Sequence, residues 1–112
     1  MPDVITLPGR EFILGEKKNI GGKNLRLQTG GALSGVTATV TIYDSSGNSV
    51  LSATSITVTG SGTTRNALTY LLTTGSGMTI TLADTYRAEY TVTYAGEVQI
   101  WQQQILVKPK PF

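Results

Sequence analysis

The sequence predicts an all-β protein, an antiparallel sandwich of seven to nine strands. Three observations carry that expectation. Period-two alternation is clear in "VTATVTIY", where Val36, Ala38, Val40 and Ile42 fall on one side and Thr37, Thr39, Thr41 and Tyr43 on the other. It returns in "TYRAEYTVTY", with Tyr86, Ala88, Tyr90 and Val92 in one frame. Between such runs lie Gly/Ser/Thr segments such as "DSSGN", "GSGTT" and "TTGSG", the strands recur at roughly ten-residue spacing, and 13 glycines punctuate the chain.

Taken in order, "VITL" reads as a short strand bounded by Pro2 and by Pro8-Gly9, and "REFIL" as a second apolar run stopped by Gly15. "GEKKNIGGKN" reads as a loop, "NLRLQ" as a strand with Leu25 and Leu27 on one face, and "TGGALSG" as another loop. After the "VTATVTIY" strand, "DSSGN" forms a tight turn in which Gly47 or Asn48 takes positive φ. In "SVLSATSITVTG", Leu51 and Ala53 are out of frame with Ile56 and Val58. A β-bulge near Ala53–Ser55 reconciles them, and a break into two strands is the alternative. "RNALTYLL" alternates Leu68, Tyr70 and Leu72 as a strand, with a short helical turn as the alternative; "MTITLAD" alternates Met78, Ile80 and Leu82. "YAG" (Tyr94–Gly96) fits a three-residue hairpin loop that pairs Val92 with Val98 and Tyr90 with Ile100. Ile100 and Ile105 are then out of phase, so "QQQ" marks a second bulge or a change of packing neighbour. "KPKPF" is a tail whose prolines cannot extend a ladder.

A chain of 112 residues is one domain by default. Three parts are expected: an extended basic arm over 1–23, a sandwich over 24–107 and a tail over 108–112. Cysteine and histidine are both absent, which removes disulfides, thiol chemistry and every Ser-His or Cys-His nucleophile. The start, "MPDVITLPGR", lacks the charged and apolar regions of a signal peptide, so synthesis in the cytoplasm is expected. No stretch of consecutive apolar residues approaches the roughly 18 of a membrane span.

The carboxylates of the middle, Asp44, Asp84, Glu89 and Glu97, form no tight constellation. Asp44 and Asp84 are expected to bond nearby backbone donors in turns. "DSSGN" has too few carboxylates for a calcium loop, and "GSGTT" and "TGSGMT" match no phosphate-binding signature. No enzyme activity, cofactor, metal or small-molecule substrate is therefore expected.

Charge is uneven although the net is only +2. Arg10, Lys17, Lys18, Lys23 and Arg26 crowd the first quarter against Glu11 and Glu16, and Lys108 and Lys110 close the chain. These are solvated arms or arms that dock on an acidic neighbour; nucleic-acid binding lacks a dense basic cluster with interleaved aromatics. A row of Tyr86, Tyr90, Tyr94 and Trp101 has the makings of a sugar- or base-stacking platform, but Tyr90 shares its face with Val92 and reads as core. Trp101, flanked by Gln99 and Gln103, falls on the opposite face in this register and reads as an interface anchor or as inter-sheet packing after a frame shift. The candidate contact residues are Arg10, Lys17, Lys18, Lys23, Trp101, Lys108 and Lys110.

The stretch "LADTYRAEYTVTYAGEVQIWQQQILVKP" resembles the closing hairpin of small Ig-like β-sandwich proteins encoded among the structural genes of tailed bacteriophages. The likeness rests on an Asp44–Gly47 turn and on Tyr86, Tyr90, Val92, Gly96, Ile105, Val107 and Pro109, and covers residues 36–109. "DTYRAEY" is similar to the tyrosine corner of Ig-type domains, with Tyr86 as its tyrosine. The resemblance implies a virion part: a neck or head-tail connector, a head-decoration protein or a baseplate-associated adaptor. Its partners would be other virion proteins and copies of itself, with no membrane involved. A carbohydrate-binding or adhesion module of a tail fibre or bacterial surface protein is the alternative.

Overall fold

The computed structural model describes residues 5–22, 37–61, 65–94 and 97–109. They form eight strands and, among the described residues, no helix. The strands are β1 (Ile5–Ile13), β2 (Lys17–Gly22), β3 (Thr37–Tyr43), β4 (Ser49–Ser55), β5 (Thr57–Ser61), β6 (Arg65–Thr73), β7 (Asp84–Tyr94) and β8 (Glu97–Lys108). One sheet runs β1-β8-β7-β3-β4 and the other β2-β6-β5. The "NLRLQ" strand, Lys23 and Lys110 lie outside the described residues.

The expectation of a wholly antiparallel structure is corrected at one place. β1 runs parallel to β8, while every other pair is antiparallel. After β1 the chain does not turn back as a hairpin; it crosses through Leu14–Glu16 into the other sheet. The rest of the domain then serves as the long crossover that a parallel pair requires.

The expected N-terminal arm is folded into the sandwich over its described part. Ile5–Leu7 of "VITL" and Arg10–Ile13 of "REFIL" are one strand, interrupted where Pro8 and Gly9 stand opposite Gln104 alone. That extra residue brings Leu7 and Phe12, five positions apart, onto one inward face, 4% and 0% exposed. "KKNIGG", expected as loop, is β2. Its single inward apolar side chain, Ile20, is too little to show a period.

β3 follows its alternation, with Ala38, Val40 and Ile42 buried. Both readings of the frame break after it are realised at different points. Ser52 and Ala53 stand opposite Thr41 alone, a bulge. At Ile56, whose N–H donates to the Ala38 carbonyl (3.1 Å), the chain leaves the first sheet, and β5 pairs with β6 in the second. β6 is a strand as expected, with Leu68 and Leu72 buried. "MTITLAD" is not: it makes only an isolated Thr74–Ile80 bridge, Ile80 is buried, and Leu82 is exposed.

The β7–β8 register is the most consequential correction. Tyr94 pairs with Glu97, Val92 with Gln99 and Tyr90 with Trp101, so two residues rather than three connect the strands. The ladder continues unbroken to Asp84–Val107, and no bulge occurs at "QQQ". Gln99, Trp101, Gln103, Ile105 and Val107 all face inward, and Val98 faces out. The expected register buried Val98 and Ile100 and exposed the glutamines. The observed one buries an indole and two aliphatic side chains instead, at the cost of two buried amides that must find partners.

Candidate functional site

Both β1 and β2 end their sheets, and the seam between them is closed by side chains. Gln103 is its centre. The Gln103 amide N–H groups donate to the Pro8 carbonyl (2.7 Å) and the Gly21 carbonyl (2.9 Å). Its Oε1 accepts from the Gly21 N–H (3.0 Å) and from the Tyr90 hydroxyl (2.6 Å). One amide thus pairs with Gly21 as a strand neighbour would, and fastens β1, β2, β7 and β8 together. Burial pushes the Tyr90 phenol well above its ordinary range, so it stays a donor. The sequence reading missed Gln103. The signal was the period-two series 99, 101, 103, 105, 107, masked because two of its members are polar.

Replacing Gln103 by leucine would leave the Tyr90 hydroxyl and the Gly21 N–H without partners in a nearly dry site. Buried unpaired groups cost about 1–3 kcal/mol each, part of it relieved by water at the half-open edge, so a loss of about 2–3 kcal/mol is expected in urea denaturation. A stability within experimental error of the parent would refute the role of the amide.

The candidate cations among the described residues, Arg10, Lys17, Lys18 and Lys108, lie on β1, β2 and β8. Lys18 donates to the Glu11 carbonyl, lies 3.4 Å from the Glu16 carboxylate and sits 4.8 Å from the centre of the Phe12 ring. Lys108 pairs with Glu11 at 2.8 Å. These two fasten the fold to itself. Arg10 and Lys17 are exposed and, among the described residues, have no ion pair. Arg10 and Lys18 border an open groove of about 560 Å³, completed by Asn19, Ile20, Gly21, Gly22, Leu68 and Thr69.

Of the two readings of Trp101, interface anchor and inter-sheet packing, the structure shows the second, reached through the register and not through a bulge: it is 0% exposed, and its indole N–H donates to the Gln99 amide oxygen (3.3 Å). Tyr86 and Tyr90 are buried with it, in keeping with the reading of Tyr90 as core, and neither ring is presented to a ligand. Tyr86 donates its hydroxyl to the Leu82 carbonyl (2.7 Å). Burial and the nearby Asp84 and Asp44 carboxylates push that phenol up.

The turn carboxylates behave as expected. Asp44 Oδ1 accepts from the N–H groups of Ser46 and Asn48, both at 2.9 Å, and Gly47 takes φ 87°. Asp84 accepts from the Ser45 hydroxyl (2.8 Å), the Thr85 N–H (2.8 Å) and the Ser45 N–H (3.2 Å), which holds its carboxyl below the ordinary range. The Ile13 N–H (2.6 Å), followed by Lys18, does the same for Glu16. A carboxylate whose pKa is lowered by folding contributes stability above its unfolded pKa and loses it as pH falls through the folded one. Stability is therefore expected to decline below about pH 4, and less steeply in Asp84→Asn, as read by thermal melts across pH. Parallel profiles for the two proteins would refute it.

Comparison with family models, with curated proteins and with solved structures finds no match to this chain.

Proposed function

We propose that the chain is a non-enzymatic structural subunit of a tailed-bacteriophage particle, at the neck or head-tail junction or on the head surface, built on an Ig-like sandwich. It would be made in the bacterial cytoplasm and assemble with other virion proteins and copies of itself. The observation that carries the reading is the strand order. β2-β6-β5 follows the B-E-D order of an Ig domain, and β4-β3-β7-β8 follows its C′-C-F-G order. The Tyr86–Leu82 bond, at the start of the strand in the F position, supports it as a tyrosine corner supports an Ig domain. The sequence resemblance to phage structural proteins runs through these same strands, β7 and β8 above all.

The docking role first given to whole arms narrows with the fold. Lys18 and Lys108 are engaged within the chain, and Arg10 and Lys17 remain the cations offered to an acidic neighbour. The test is to purify particles from a lysate of cells producing the chain and to locate it by immunogold labelling. The expected result is a fixed copy number at the neck or over the head. A chain left wholly in the soluble fraction, away from intact particles, would overturn the reading.

A further inference from the structure

One end of the sandwich gathers the turn from β1 to β2 and the segment that leads out of β6. The two are fastened to each other. Thr74, 1% exposed, donates its hydroxyl to the Glu16 carbonyl (2.7 Å) and accepts from the Gly15 N–H (3.0 Å). Its own N–H donates to the same Glu16 carbonyl (3.1 Å). Each piece is also closed on itself. The Glu16 N–H meets the Ile13 carbonyl (2.9 Å), the Gly75 N–H the Ile80 carbonyl (2.8 Å) and the Met78 N–H the Gly75 carbonyl (3.2 Å).

Between the two pieces lies an open groove of about 410 Å³. Leu14 and Met78 line it with apolar surface, and Lys17 lines it with charge. Met78 is 40% exposed, and Lys17 stands in solvent. The other charged groups near this end of the sheets are committed. Glu16 is held by the Ile13 N–H and by Lys18, and Lys108 pairs with Glu11. Asp44 and Asp84 accept from N–H groups and a hydroxyl of the turns beside them. Lys17 has no ion pair among the described residues, so the groove carries an uncompensated positive charge beside its apolar walls.

We infer that this groove docks an acidic segment of a neighbouring protein, one that sets an apolar side chain against Leu14 and Met78 and a carboxylate against Lys17. Charge complementarity fixes the sign of the partner. A methionine side chain adapts to what it meets, and turns already fastened by hydrogen bonds lose little freedom on binding. A lone cation is too few for a phosphate backbone or an anionic membrane, which are met by clusters of Lys and Arg. The same groove of a second copy, brought up across a twofold axis, would set Lys17 against its own image. The segment is the acidic neighbour named above, so this contact stands on the reading of the chain as an assembly subunit.

The test is an NMR titration of the full chain, isotope-labelled at its methionine methyl groups, with short synthetic peptides. The chain has two methionines, Met1 and Met78, so one of the two signals reports on the groove. The probe is an acetylated and amidated peptide of alternating aspartate and leucine; its controls replace the aspartates by lysine or the leucines by serine. The Met78 signal is expected to shift and saturate with the probe at a Kd of about 1 mM or tighter, and each control is expected to bind about tenfold more weakly. Lys17→Gln is expected to weaken the probe about two- to fivefold, as for a surface ion pair. Arg87→Gln, which takes the same charge from the other sheet, leaves it unchanged. Near-UV circular dichroism reports whether each variant is folded, and the peptide comparison on the natural chain depends on neither. A Met78 signal unmoved at about 5 mM probe, a control that binds as well as the probe, or a folded Lys17→Gln variant that binds as the natural chain does would each overturn the inference. A chain absent from purified particles would remove the assembly reading without moving this titration. An unmoved Met78 signal in a chain that particles do carry would remove the groove alone.

Discussion

Trp101→Ala is expected to cost about 4 kcal/mol of folding stability, in the range found for truncating a fully buried tryptophan. The side chain lies opposite Tyr90 on the neighbouring strand, and both are 0% exposed. Phe12, Val40 and Ile105 belong to the same buried cluster. Removing the indole leaves a large void between the sheets and also takes away the donor that the Gln99 amide receives. A domain of this size has about 5–15 kcal/mol in all, so the variant would sit near its unfolding midpoint at modest temperatures. Trp101→Phe keeps most of the packing and is expected to lose about half as much. The comparison separates a core residue from an interface anchor. An anchor's removal would weaken association while leaving the urea midpoint of the isolated chain in place. That outcome would contradict the burial of Trp101.

How much of this was legible in the sequence depends on how far each strand's inward face is apolar. β3 and β7 were readable because every second residue is hydrophobic and its neighbours are Thr, Arg or Glu. β8 was not, because its inward series includes Gln99 and Gln103 while its outward series includes Val98 and Ile100. A rule that buries the more apolar frame chooses wrongly there by one residue, and a slip of one residue exchanges the two faces. β2 was hidden for a related reason: a single isoleucine between lysines and glycines cannot show a period. The arm was read from charge, and charge describes what a side chain does with water rather than whether its backbone is paired. Lys18 lies on a paired strand and sets its ammonium over the Phe12 ring while reaching two oxygens. The turn chemistry of Asp44, Gly47 and Asp84 was legible because it is local. The seam was not, because Gln103 meets Pro8 and Gly21 across more than eighty residues of sequence.

Gly21→Ala is expected to be as damaging as the loss of the tryptophan, about 4 kcal/mol, although it adds one methyl group. Gly21 holds φ 109°, where a side chain is strained whatever the space. There is also no space: a Cβ built on Gly21 would lie 2.0 Å from the Leu68 carbonyl oxygen and 2.7 Å from its carbon. Those atoms are backbone of β6, the middle strand of its sheet, and cannot swing aside as a flexible side chain would. The methyl group therefore forces β2 away from β6 or rotates the residue. Either movement misaligns the N–H and C=O that Gln103 holds, and the seam opens toward Pro8. Gly47→Ala is the internal control. It has a similar φ of 87° but nothing within 4 Å of the added atom, so only the backbone term of about 1 kcal/mol applies. Because Gly21→Ala and Gln103→Leu remove the same bonds, their combination is expected to cost less than the sum of the two in a double-mutant cycle. Strict additivity, or a Gly21→Ala variant no less stable than Gly47→Ala, would show that the seam is not held in this way.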